Sequence, residues 1–450
     1  MEQIYFDKTR KLKLFFTKMS MKRIQEICFL VNGFLLGSLA PLYGKTFNYF
    51  LLFMVLFHAV TQWNSFVKEL RVGKKYILVF GIYFIYILVQ SLFMTWGCTF
   101  TDKPYYGIFE DLLLNFILIP IYVVSLKEYL TPRLLTRFLF LFCTGCLLLN
   151  IYVIFDLVGI SLFTDTSSAI NFLYANRLGE NKLDFLGGNL YLEPQTLHMA
   201  LTALIAYFLI FIYRNKGVKI LSGIMFLLLT IFLSFTVTKA GILAFILGFG
   251  IINFYLLKHS SFRVRSAILI GIVLLVPIFG IFVFDGLKEK YKERTEEIKR
   301  EVENVKRDVY AGGTIAPRIG FIRESFIHVD EFGVWGLGIY AKHRVNQWLQ
   351  SSKDGLGAFT NVHNSFIHYW IQGGVLGLAM IVFLFCAPLY RMLRTQKVSW
   401  LICALLVIIF VMNNTCILLA LNNSRLMILL LLGMFYFYGD VFWRLEKGDC

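Results

Sequence analysis

The 450-residue chain is 58% hydrophobic and 17% aromatic, with only 16% charged residues, a balance that excludes a water-soluble globular protein and requires lipid as solvent. Its net charge of +16 comes without basic patches interleaved with aromatics, so it reads as membrane-orientation signal and attraction to anionic membrane lipids, with no nucleic-acid partner implied. The apolar runs lack the two-residue alternation of a transmembrane barrel, which leaves an all-α, polytopic membrane protein as the expected fold class.

A helix needs about 20 apolar residues to cross roughly 30 Å of hydrocarbon. Twelve such runs are predicted, at 24–43, 48–67, 76–97, 107–126, 138–160, 191–213, 218–237, 240–257, 266–284, 364–389, 399–420 and 426–443. The basic stretch before the first run is long and no small-residue cleavage site follows, so that run is expected to stay as an anchor. With the N-terminus inside, the clusters at 8–23, 68–75, 127–137, 214–219, 258–265, 391–397 and 444–447 all fall on the inner side. The short outer loops then carry only Lys45, Lys103, Arg177, Lys182, Lys239 and Arg425, and both termini are cytoplasmic. Cys143 and Cys146 sit within an apolar run and read as helix packing rather than a redox or zinc motif, and no metal-ligand constellation is apparent.

The organisation expected is residues 1–284 as spans one to nine with an outer loop at 161–190, residues 285–363 as a long outer loop, and residues 364–450 as the last three spans and a tail. Long connections are where a polar substrate meets side chains. Residues 286–310 predict a charged helix with Tyr291, Ile298, Val302, Val305 and Val309 on one face, read as a solvated helix over the core. Ala311-Gly312-Gly313 breaks it, Pro317-Arg318 opens a second amphipathic stretch to about Val329, and Gly333 to Gly357 predict a looped, close-packed region. Gly373 and Gly377 form a close-packing motif on the tenth span.

Ionisable residues at span ends gather on the outer side: Glu193, His198, Lys239, His363 with Asn364, and Arg425. Each has a plain structural reading: snorkelling for Lys239, a helix-start acid for Glu193 beside Pro194, bundle hydrogen bonds for His198 and His368. His363 stands apart, because an imidazole at a membrane boundary and a helix start is a neutral base near physiological pH. Arg318, Lys239 and Arg425 at one rim would hold a doubly charged anion such as a diphosphate.

Three stretches resemble the bacterial O-antigen ligase and O-antigen polymerase superfamily of membrane glycosyltransferases. Asn361-Val362-His363-Asn364-Ser365-Phe366-Ile367 followed by Gly373-Gly374-Val375-Leu376-Gly377 resembles its His-Asn pair opening a helix. Pro317-Arg318-Ile319-Gly320-Phe321 followed by Gly333-Val334-Trp335-Gly336-Leu337-Gly338 resembles its loop arginine and glycine-rich segment. Ser234-Phe235-Thr236-Val237-Thr238-Lys239-Ala240-Gly241 is similar to its hairpin motif, with Lys239 where that motif reads Arg. The resemblance implies a multi-pass protein of the bacterial inner membrane acting on undecaprenyl-diphosphate-linked glycans at the periplasmic face, without metal or cofactor and with inversion. His363 and Arg318 would be catalytic, and Lys239, Arg425, Glu193 and Asn364 would bind substrate. Gly187-Gly188-Asn189-Leu190-Tyr191-Leu192-Glu193-Pro194 looks like the Glu-Pro element of polymerases, which favours a polymerase over a ligase that transfers glycan to lipid A-core. A flippase of lipid-linked sugars is the alternative from another class, and the charged helix 286–310 offers a place for a chain-length regulator to dock.

Overall fold

The computed structural model describes residues 22–97, 112–127, 129–159, 161–165, 168–169, 172–173, 191–236, 238–259, 286–307, 309–310, 313 and 315–448. The described residues are helical, with turns and loops between and no strand. In chain order the helices are α1 (22–38), α2 (Gly44–Thr61), α3 (Trp63–Gly97), α4 (a π-helical turn Leu113–Leu118 running into Ile119–Ser125), α5 (Pro132–Val158), α6 (Leu192–Ile212), α7 (Lys216–Phe235) and α8 (Lys239–His259). They continue with α9 (Gly286–Lys306), α10 (Ala316–Ile327), α11 (Ala341–Ser351), α12 (Ser365–Thr395), α13 (Trp400–Thr415) and α14 (Asn422–Glu446).

Among the described residues, seven helices are long and apolar enough to cross a membrane: α3, α5, α6, α7, α8, α12 and α14. Thr46–Thr61, Leu113–Ser125 and Trp400–Thr415 are apolar but shorter. The expected ninth span at 266–284 and residues 174–190 of the outer loop lie outside the described residues.

The starts of the helices follow local chemistry. Thr131 accepts from the Leu134 N–H ahead of Pro132 in α5, Asn215 caps α7, and Ser399 accepts from the Ile402 N–H at α13. The expected second span, 48–67, is cut short: the chain turns at Gln62, and helix α3 starts at Trp63 and runs on through the basic segment 68–75 expected as an inner loop, which holds no breaker before Gly73. Helix α6 lies at the centre, buried over most of its length, and packs against α5, α7, α8, α13 and α14.

The described residues between 310 and 362 form a small cap with a core of its own, including Phe321, Phe332, Trp348 and Leu356, seated on the end of the bundle where α12 begins. The glycine-rich stretch expected as loop contains helix α11, whose apolar side chains Val345, Trp348 and Leu349 enter that core. The cap is anchored at a break in α12. Gly374 has φ 57 and ψ −145, a conformation that a side chain would strain, and a Cβ there would collide with the Val334 carbonyl. Through that break the Val375 N–H donates to the Val334 carbonyl at 3.0 Å, and the Leu337 N–H donates to the Ile371 carbonyl at 2.8 Å. Gly373 of the close-packing pair lies against the Tyr83 ring of α3.

Candidate functional site

A cavity of about 200 Å³ opens where the first turn of α6, the start of α8, the start of α10, the loop before α12 and the end of α13 meet. Glu193, Lys239, Arg318 and His363 all line it, with Phe321, Phe359, Thr415 and Cys416 among the other walls. Four side chains from across 170 residues of chain therefore share one chamber.

His363 sits in the turn just before α12 with φ 44, a left-handed conformation that a non-glycine residue seldom adopts. The turn is held from both sides. The His363 N–H donates to Asn361 Oδ1 at 3.0 Å, and Asn364 caps α12 by accepting from the Phe366 and Ile367 N–H groups at 2.9 and 3.1 Å. Asn364 Nδ2 also donates to the Asn414 carbonyl at 3.2 Å, and Ser365 Oγ donates to Asn413 Oδ1 at 2.7 Å, which latches the start of α12 to the end of α13. The imidazole stacks on Phe321 at 5.4 Å and meets Phe359 edge-on at 5.8 Å. Burial, aided by Arg318, holds its pKa below the ordinary 6.5 against the opposing pull of Glu193, so it is a neutral base at physiological pH.

Arg318 stands in the first turn of α10, and its Nε donates to the Thr415 carbonyl at 3.1 Å, which sets the guanidinium against the cavity wall. Glu193 lies in the first turn of α6, where the helix dipole favours a carboxylate, and it acts on both His363 and Cys416. Burial and Glu193 push the Cys416 thiol far up, which keeps it protonated and a poor nucleophile.

Lys239 is the first residue of α8, and its Nζ lies 3.7 Å from Glu297 Oε2 and 3.7 Å from Glu301 Oε1, so its charge is shared with helix α9. Glu301 is only 3% exposed, and its other oxygen accepts the N–H groups of Ile315 and, at 3.2 Å, Ala316. One carboxylate thus caps the helix that bears Arg318 and pairs with Lys239. Helix α9, read from the sequence as a solvated cover, is tied by these contacts to the cavity. Glu301 was missed as a site residue, although an acid within the apolar stripe of Ile298, Val302 and Val305 was the signal that could have found it.

Arg425 does not line this cavity. It is 7% exposed at the start of α14, and its guanidinium donates to the carbonyls of Leu419, at 2.7 Å, and Ala420, satisfying the turn that leads into its own helix. His198 is fully buried in α6 beside the Phe142 ring, away from the cavity lining.

Fold and site together define a multi-pass, all-helical membrane protein with an imidazole, a carboxylate and two cations gathered in one chamber at the end of its bundle. Residues 224–382, from within α7 to within α12, match the O-antigen ligase family model (Wzy_C), which supports kinship with the O-antigen ligase and polymerase superfamily of membrane glycosyltransferases. The matched segment contains Lys239, Arg318 and His363, while Glu193 and Arg425 fall outside it. No curated protein matches the chain.

Proposed function

We propose that the protein is a polymerase of undecaprenyl-diphosphate-linked oligosaccharide repeat units, working by metal-independent, inverting glycosyl transfer at the periplasmic face of the bacterial inner membrane. The observation that carries this reading is the convergence of Glu193, Lys239, Arg318 and His363 on one cavity.

His363 takes the proton of the acceptor hydroxyl as the oxygen attacks the anomeric carbon of the donor sugar, a contribution of roughly 10² to 10⁴ in rate. The bond from that carbon to the diphosphate breaks, and the electron pair leaves with the diphosphate. Arg318 stabilises the charge building there with a planar fork suited to phosphate oxygens. Glu193 stabilises the imidazolium as it forms, the part a carboxylate plays behind a catalytic histidine. Lys239, shared with Glu297 and Glu301, adds positive charge at the rim and fixes α9 beside the donor.

A ligase reading has its own support in the description of the matching family, and the Glu193-Pro194 element favours the polymerase. The two share donor and chemistry and differ in acceptor. The deciding experiment incubates purified protein with a defined lipid-linked repeat unit, with and without lipid A-core. Lengthening of the lipid-linked chain alone supports the polymerase, and transfer to lipid A-core alone overturns it in favour of the ligase. A flippase would move the lipid-linked unit and form no new glycosidic bond.

A further inference from the structure

At the opposite end of the bundle, where α12 and α14 finish and α3 begins its apolar run, a larger cavity of about 530 Å³ is lined by Lys75, Lys127, Arg391, Lys397 and Arg444. Among the described residues Asp440 is the carboxylate in its wall, and it pairs with Arg444 at 3.2 Å. Among the described residues, five cations against one carboxylate make a positive field that an entering anion relieves.

The chamber is built rather than incidental. Arg391 lies over the Tyr436 ring at 5.0 Å and the Phe437 ring at 5.7 Å, and Tyr76 stacks on Tyr436 at 4.9 Å, so the guanidinium rests on an aromatic floor. Helix α14 breaks at Tyr438, with φ −121 and ψ 20, inside this wall, and the Tyr438 hydroxyl holds the break by donating to the Val123 carbonyl at 2.7 Å. Val72 in the wall is an exposed apolar side chain of α3, and on α12 Tyr390 and Leu393, the chain neighbours of the lining residues Arg391 and Met392, are exposed as well. A phosphate group in the chamber, with hydrocarbon alongside those residues, matches the charged lining and the exposed apolar side chains together.

We propose that this cavity binds the phosphate headgroup of an anionic membrane lipid, at the end of the bundle away from His363. Free phosphate shares the headgroup chemistry but leaves the apolar flank without an occupant.

The test uses the full-length protein in zwitterionic detergent, titrated separately with phosphatidylglycerol, phosphatidylcholine and sodium phosphate. Thermal unfolding is followed, and bound lipid is counted by native mass spectrometry. The expected result is a saturable rise in Tm and retained lipid with phosphatidylglycerol alone. At about 1 kcal/mol per basic residue near an anionic lipid, the double variant Arg391→Gln, Lys397→Gln should bind it about thirtyfold more weakly. Lys127→Gln, an exposed position after α4, gives a second reading should the double variant fold poorly, with weaker binding again expected. Equal responses to the two lipids, undiminished phosphatidylglycerol binding by the variants, or a sodium phosphate response equal to that of phosphatidylglycerol would each overturn the lipid site.

Discussion

His363 is opposed by Glu193 and abetted by Arg318, and that arrangement makes its titration a readout of the cavity. With its pKa depressed, the imidazole is a competent base above that pKa and is lost as pH falls through it, so the acid limb of kcat/KM is expected below pH 6.5. Glu193 raises the imidazole pKa, and Glu193→Gln should therefore move the acid limb to lower pH while reducing the maximal rate. Arg318→Gln removes an influence that lowers it, so the limb should move to higher pH, with a large loss of rate as well. A pH–rate profile with a lipid-linked donor distinguishes the two, and shifts of the same sign would place at least one of these groups away from the imidazole. His363→Ala is expected to lose roughly 10² to 10⁴ in rate with the protein still in the membrane, and an unchanged rate would remove the base from the mechanism.

Among the helices, α9 and α10 behave as one device, because a single carboxylate joins them. Glu301→Gln keeps an oxygen for the Ile315 and Ala316 N–H groups but gives up the charge facing Lys239, whereas Glu301→Ala gives up both. The expected result is a folded Glu301→Gln protein with altered KM for donor, and a lower Tm only for Glu301→Ala, for which cap loss costs about 1 kcal/mol. A Tm loss of the same size in both would show that the cap geometry did not depend on the acceptor oxygen. The same device recurs in α14, where the Glu446 carboxylate accepts the N–H groups of Trp400 and Leu401 at 3.1 and 2.8 Å and so fixes the start of α13. Helix α12 depends on its break: Gly374→Ala would need a left-handed backbone and space held by the Val334 carbonyl. That strain is of order 1 to 3 kcal/mol, and loss of folded protein in detergent extracts is the expected outcome.

For the molecule as a whole, the two cavities mark opposite ends of one bundle, and α12 and α14 run from the first end to the second. With the basic clusters inside, cysteines introduced at Asn361 and at Gly448 should be labelled by a membrane-impermeant thiol reagent from opposite sides of the membrane. Labelling of both from one side would break the topology on which the periplasmic reading stands. The membrane class and the helical fold were legible from residue order. Composition and run length required a membrane and a helical fold, since no other arrangement satisfies the backbone in hydrocarbon except a closed barrel, whose alternation is missing. Glu193, Lys239 and His363 also stood out in the sequence, because ionisable groups at apolar boundaries are costly, whereas Arg318, inside the long outer loop, stood out only through its amphipathic stretch and the family resemblance. Arg425 passed the same filter yet serves its own turn, since a guanidinium satisfying carbonyls and one facing a ligand look alike in a string of letters. Glu301 and the helix α11 were hidden for the converse reason. The stripe on α9 shows that Glu301 is out of place among apolar residues, but its pairing with Lys239, the caps on Ile315 and Ala316 and the cap core that α11 enters exist only once those segments have packed.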